Sequence, residues 1–151
     1  HIRLGDINLE ERWIDLNIEG AKNHREHRVP IVSSLYPSLE ELVRKAGEAG
    51  MESGDQVFNV GWFDLMRKSK YPEVMNVYPL RAFFRRLSRE CKFTITPHRL
   101  RHTVATHMMK SPERNLYAVK KLLGHVSITS TLEYIDESVD SLRDILETEL
   151  M

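Results

Sequence analysis

From Tyr78 onward the chain is written in a helical period and cut at short intervals by residues that stop helices. That combination leaves room for little except a set of short packed helices. In Tyr78–Cys91, Leu80, Phe83, Phe84 and Leu87 form one stripe, and Arg81, Arg85, Arg86 and Arg89 the other face. Thr96-Pro97 supplies a cap and a first-turn proline for a helix running to about Lys110, with Leu100, Val104 and Met108 on one face. Ser111-Pro112 ends it. Leu116 to Leu123 is a shorter helix closed by Gly124. Ser127 caps a helix through Ile135. Ser138 caps a last one, with Val139, Leu142, Ile145, Leu146 and Leu150 as its apolar stripe.

The first third reads differently. After Trp13 the chain alternates apolar and polar as far as Ile18, and Arg28 to Val32 is a second extended run, with Pro30 marking an edge or a strand end. The polar stretch between them opens at Gly20 and carries Lys22, His24 and Arg25, so the pair reads as a hairpin with a basic tip. The residues before Trp13 read as a helix end followed by a turn at Gly5-Asp6. Ser38 and Glu41 make a capping box for a helix with Leu39, Leu42, Val43 and Ala46 on one side, stopped by Gly50. Residues 51–76 are mixed; QVFNV fits a strand and FDLMRKS a short helix. The expected class is mainly α with a small antiparallel β-sheet or hairpin near the N-terminus, an α+β domain spanning 1–151.

Composition excludes several classes. With 41% hydrophobic and 29% charged residues over 151 positions, the chain is neither disordered, collagenous nor a linker, and its length suits one domain. No run approaches the roughly 18 apolar residues of a membrane span. HIRLGDINLE has no apolar core of a signal peptide. The single cysteine, Cys91, excludes an internal disulfide framework, fits a reducing, cytoplasmic setting, and reads as a small buried hydrophobe. The zero net charge conceals an asymmetry. Of 22 acids, seven lie between Glu133 and Met151 beside one base, Arg143, which leaves residues 1–132 with 15 acids against 21 bases. A basic body suits a polyanion, or a solvated mixed-charge surface; an acidic tail does not suit DNA.

Seven histidines invite a test for metal. His98 and His102 share a helix face, but HRLRH lacks the glutamate of HExxH, and Arg99 and Arg101 repel a cation. There is no nucleophile elbow and no Gly-rich phosphate loop. No metal ion and no cofactor is expected. What remains is phosphate recognition. His98 and Arg101 lie three residues apart on one helix face and can together donate several hydrogen bonds to phosphate oxygens. His125 follows the helix-ending Gly124, and Tyr134 lies nine residues later. A phenol can act as a covalent nucleophile where its developing charge is stabilised. The arginines of Tyr78–Cys91 can follow a phosphate backbone or simply be solvated. Taken one at a time, each His and the Tyr is as well explained by packing or exposure.

The ordered set decides. PHRLRHTVATHMM followed by LLGHVSITSTLEY resembles the C-terminal signature of the tyrosine recombinase (phage integrase) family: HxxR on a helix, LLGH, then a Tyr. RLGDINLEERWIDL resembles the segment after the family's first catalytic arginine, and AKNHREHRVPI its β-hairpin with a catalytic lysine. The resemblance implies an integrase-type catalytic domain that cleaves and rejoins duplex DNA through a 3′-phosphotyrosine. Tyr134 is then the nucleophile, Arg101 and His125 hold the phosphate, His98 assists, and Lys22 protonates the leaving oxygen. Arg25, Arg81, Arg85, Arg86 and Arg99 are the expected DNA contacts; His102 and His107 are expected to be structural. The family's first arginine falls before His1, and Arg3 does not replace it, so a domain truncated on its N-terminal side is expected, without full activity of its own. The resemblance further implies a homotetramer on double-stranded DNA, with residues 138–151 packing on a neighbouring protomer, and no membrane partner. A non-catalytic DNA-binding remnant, a type IB topoisomerase-like nicking-closing enzyme and a helical scaffold are the alternatives. The LLGH-to-Tyr spacing and the RHTVATH run favour the recombinase.

Overall fold

In the computed structural model the described residues are 1–16, 27–71, 74–110, 116–123, 143 and 146–148. They fall in two units, His1–Leu80 and Arg81–Met151.

The first unit begins on an extended segment rather than a helix end. Leu4 N–H donates to Asp55 O (2.9 Å) and Val57 N–H to Ile2 O (3.1 Å), with Arg3 bridging Gln56. A 3-10 turn, Leu4–Asp6, then supplies the turn expected at Gly5-Asp6. Three antiparallel strands follow in the order β1-β2-β3: β1 (Ile7–Asn8), β2 (Trp13–Leu16) and β3 (His27–Pro30). The register of the second pair runs from Trp13↔Pro30 to Leu16↔His27. The hairpin is therefore as expected, but β3 begins earlier and ends at Pro30 rather than Val32. Past Pro30, Ile31 N–H donates to Arg12 O (2.8 Å), and Val32 O already accepts from Leu35 and Tyr36, winding the chain into a helix. β1 has no counterpart in the sequence reading, because two residues cannot display alternation.

Helix α1 (Tyr36–Glu48) starts ahead of the expected Ser38 cap. Pro37 sits in its first turn, where a missing N–H costs nothing, and no side chain caps it. Glu41, freed from a capping box, is bound by Arg44 (2.7 Å), which also holds Glu48. The Arg44 hydrogen bond pulls the Glu41 carboxyl down to about 2. The helix closes on Gly50, at φ 82°, with Gly50 N–H on Gly47 O and Met51 N–H on Ala46 O, a Schellman ending. Ala46 and Met51 thereby join Val57 in a core against which Ile2, Leu4, Ile7, Leu42 and Trp62 pack.

Residues 51–71 are held by turns. QVFNV is not a strand; Gln56 makes one bridge and a 3-10 turn, Val60–Trp62, follows. The expected short helix is α2 (Leu65–Lys68), capped by Asp64 Oδ1 on Met66 N–H (2.9 Å). Asn59 is fully buried, accepting from Gly61 N–H (2.8 Å) and donating to Tyr71 O (3.3 Å). A Cβ on Gly61 would lie 2.3 Å from Tyr71 O. Gly61→Ala is therefore expected to cost about 2 kcal/mol through overpacking against backbone that cannot yield. Urea denaturation checks this; an unchanged midpoint would mean that Tyr71 can move.

Among the described residues of the second unit, the longer helices follow the bounds the sequence suggests: α3 (Tyr78–Cys91, beginning just before the unit boundary), α4 (Pro97–Lys110) and α5 (Leu116–Leu123). Ala105 and Met109 of α4 pack with Val119 and Leu123 of α5, and Met108 and Leu116 flank them. Of the shared face Leu100, Val104 and Met108, Met108 packs against this core while Leu100 and Val104 are half exposed (50% and 49%). A small Ala105 permits close approach of α5, and its face wins over the stripe of larger side chains. Cys91 is exposed at the end of α3, not buried as expected. Of the segments read as helices between Ser127 and Leu150, only Arg143 and residues 146–148 lie among the described residues, and these are helical. Among the described residues no helix is long and apolar enough to cross a membrane.

Candidate functional site

The site-bearing helix is set up before it begins. Ser88 Oγ, near the end of α3, accepts from Ile95 N–H (2.8 Å) and lies within hydrogen-bonding distance of the Phe84 and Ile95 carbonyls (2.8 and 3.1 Å). The turn between passes through Lys92 at φ 58°. Thr96 Oγ1 then accepts from Arg99 N–H (3.1 Å), the cap expected for α4. The direction of α4, and hence of its polar side chains, is set by this Ser88 clasp and the Thr96 cap.

Arg101 lies one turn before Ala105 and so on the face that α5 covers. Its Nη2 donates to the carbonyl oxygen of Leu123. Leu123 is in the last turn of α5, where carbonyls lack helical partners and a cation is favoured. This bond joins the helix carrying His98-x-x-Arg101 to the end of the helix that leads into Gly124-His125. A guanidinium has five N–H donors in a fixed fork, and one bond to Leu123 orients the rest. His98 is exposed in the first turn of α4, three residues before Arg101.

Arg99 is also exposed on α4, and Thr103 Oγ1 donates to its carbonyl (2.8 Å). Arg81, Arg85 and Arg86 are exposed along α3, with Arg86 against the Phe83 ring (5.8 Å). Leu80 and Phe83 of the expected apolar stripe are themselves partly exposed, 47% and 45%. Lys22 and Arg25 fall between β2 and β3, and His125 and Tyr134 after α5; all four lie outside the described residues. The structure thus brings His98 and Arg101 together on α4 and ties Arg101 to the residue preceding Gly124. His98 and His102 are joined by no third His, Cys, Asp or Glu in a metal-holding group among the described residues.

Two features escaped sequence reasoning. The Leu123 carbonyl is backbone, which no side-chain pattern reveals. On the hairpin stem, Arg28 Nε donates to Asp15 Oδ1 (2.7 Å) while its guanidinium carbon lies 4.4 Å from the centroid of the Trp13 ring. Trp13 and Asp15 are two apart on one strand, and this cluster becomes legible only once the register places Arg28 opposite Asp15.

Comparison with known proteins places this arrangement. A Pseudomonas aeruginosa protein, provisionally named tyrosine recombinase XerC, is 41% identical over 145 residues, covering 96% of this chain and 33% of its own length. Tyrosine recombinase XerC of Pelobacter propionicus is 29% identical, covering 97% of this chain and 44% of its own length. The chain therefore spans well under half of these relatives. The crystal structure of XerA recombinase matches 98% of the chain and 50% of its own, with a TM-score of 0.68 and 19% identity, which shows a shared fold. The sequence profile of the phage integrase family matches residues 1–140, and the chain belongs to that family.

Proposed function

We propose that this chain is the greater part of the catalytic domain of a site-specific DNA recombinase, cleaving and rejoining duplex DNA without metal or cofactor. The observation that carries this is the Arg101–Leu123 bond, which ties the helix bearing His98-x-x-Arg101 to the end of the helix preceding Gly124-His125. Membership of the integrase family supplies the reaction class.

In this reading the Tyr134 oxygen attacks a scissile phosphorus and forms a 3′-phosphotyrosine bond, while the bond from phosphorus to the 5′-oxygen breaks. Lys22 delivers a proton to that oxygen, which leaves as a 5′-hydroxyl. His98 assists proton transfer at Tyr134 or holds the phosphate. Charge gathers on the non-bridging oxygens, where Arg101 and His125 donate. A 5′-hydroxyl from the partner duplex then attacks the phosphotyrosine, so one phosphodiester replaces another and no nucleotide cofactor is consumed. Arg25, Arg81, Arg85, Arg86 and Arg99 hold the DNA backbone. The protein works in the cytoplasm as a tetramer on DNA.

Residues 138–151 are the part least suited to DNA, with their run of acids. Leu146, the residue of the expected apolar stripe that lies among the described residues, is 56% exposed, which supports a neighbouring protomer as its cover. Deleting 138–151 is expected to weaken assembly of multi-protomer complexes more than single-site binding. In a gel-shift titration, equal loss of both would count against this role.

The test of the function is covalent trapping. The full-length protein is given a nicked duplex carrying its own recombination site, from which the cleaved end diffuses away. A DNA-linked protein band on a denaturing gel is expected. Retained DNA binding with no such band would overturn the enzymatic reading in favour of a non-catalytic DNA-binding module.

A further inference from the structure

We infer that the loop Asn59–Tyr71 is a further, wedge-type DNA contact, in which Leu65 and Met66 enter between base pairs while Lys68 and Lys70 hold the flanking phosphates. The inference rests on the proposed action on duplex DNA and adds a part of the chain that none of the expected contacts includes.

The loop is braced where its ends meet. Asn59, fully buried, donates from Nδ2 to Tyr71 O (3.3 Å) and accepts from Gly61 N–H (2.8 Å). Tyr71 is itself buried, and Gly61 passes so close to Tyr71 O that no Cβ fits between them. Trp62 packs on the core of Ala46, Met51 and Val57. The interior is bonded turn by turn. Val60 O accepts from Phe63 (3.2 Å) and Asp64 (3.0 Å), and Arg67 O accepts from Lys70 and Tyr71 (3.0 Å each). Between them Asp64 caps α2. A loop with joined ends and a packed interior is an Ω-loop, and it holds its middle in one conformation.

That middle is Leu65 and Met66, which are 86% and 90% exposed. Two adjacent large apolar side chains are thus held out in water on a braced backbone. Their neighbours give the chemistry of the partner. Arg67, Lys68 and Lys70 are exposed beside them, against one acid, Asp64. Arg67 bonds Asp64 (3.3 Å), which leaves the phosphate role to the two lysines. An apolar protein surface would gain little from three cations around a two-residue contact. Duplex DNA matches both halves, with phosphates for the lysines and stacked bases for Leu65 and Met66. Wedges of this kind unstack a base step and kink the duplex, which lays more of it against the protein. Residues 1–132, with 21 bases against 15 acids, suit such a bent polyanion.

The test reads DNA bending. The full-length protein is bound to a duplex carrying one half of its recombination site, with a dye at each end, and energy transfer reports the end-to-end distance. Leu65→Ala/Met66→Ala is expected to reduce the bend by about 20° or more and to weaken binding about tenfold, the burial of two side chains less the cost of one unstacked step. The salt slope of its affinity should not change. Leu65→Met/Met66→Leu keeps the apolar volume and is expected to bend DNA as the parent does. Lys68→Ala/Lys70→Ala is expected to lower the salt slope by about 1.8, or 0.9 for each phosphate contact. Leu65→Gln/Met66→Gln serves if the alanine pair folds poorly. An unchanged bend in the alanine pair overturns the inference, whatever happens to affinity, and so does an unchanged salt slope in the lysine pair. If the alanine pair binds and bends the half-site normally but fails to assemble several protomers, the patch is a protein contact and the inference is overturned. A parent protein that binds DNA without bending it also overturns the inference alone. A parent protein that binds no DNA overturns the proposed function, and the inference falls with it.

Discussion

Tyr134→Phe is expected to bind its duplex with unchanged affinity and to form no DNA-linked product, a loss of at least about 10⁴-fold in cleavage. The substitution removes one oxygen and keeps the ring, so packing around it changes little. The covalent bond needs a nucleophilic oxygen placed in line with the leaving group, and a phenyl ring offers none. Two readouts from one preparation decide it: a gel shift for binding and a denaturing gel for the covalent adduct. A Phe variant that still becomes linked to DNA would move the nucleophile to another residue, and the LLGH-to-Tyr spacing would lose its meaning. A Phe variant that loses binding as well would mark Tyr134 as a structural residue.

That prediction stands on spacing, and spacing was the most legible property of the chain. Helices α3 and α5 are bounded by their own punctuation, and the Thr96 cap that opens α4 is where the sequence places it. Faces were harder. Leu100, Val104 and Met108 make the larger stripe on α4, yet the buried contacts with α5 are made by Ala105 and Met109, and of the stripe Met108 packs beside them. Close approach of two helices rewards a small residue at the crossing, and size alone does not announce it. Ser38 and Glu41 form a capping box on paper, but Pro37 and the turn at Val32 start α1 earlier, and Arg44 claims Glu41. The stretch 51–71 has no period to read because its core position, Asn59, is held by backbone partners at Gly61 and Tyr71. Such bonds come from turn geometry rather than from side-chain pattern. The site divides in the same way. HxxR, LLGH and Tyr134 can be read as an ordered set, whereas the anchor of Arg101 is a carbonyl and the Arg28 clasp needs a register.

The anchored arginine gives the second large effect. Arg101→Ala is expected to lower the cleavage rate about 10³-fold, the scale of removing a preorganised donor from developing charge. Arg101→Lys is expected to recover only part of that, because an ammonium cannot bond the Leu123 carbonyl and two phosphate oxygens through one planar fork. Binding should change far less. Loss of one phosphate contact lowers the salt slope of affinity by about 0.9 and leaves the other basic contacts in place. Stability should fall modestly in the Ala variant, by about 0.5 kcal/mol, since the bond at the α5 terminus is only part-buried. The three quantities separate the roles of the guanidinium. A rate that falls only in proportion to DNA affinity would make Arg101 a binding residue. A fall in melting temperature large enough to account for the lost activity would make it a strut between α4 and α5. A rate loss far beyond either change is the signature of a donor aimed at the transition state, held there by the end of the helix that leads into Gly124-His125.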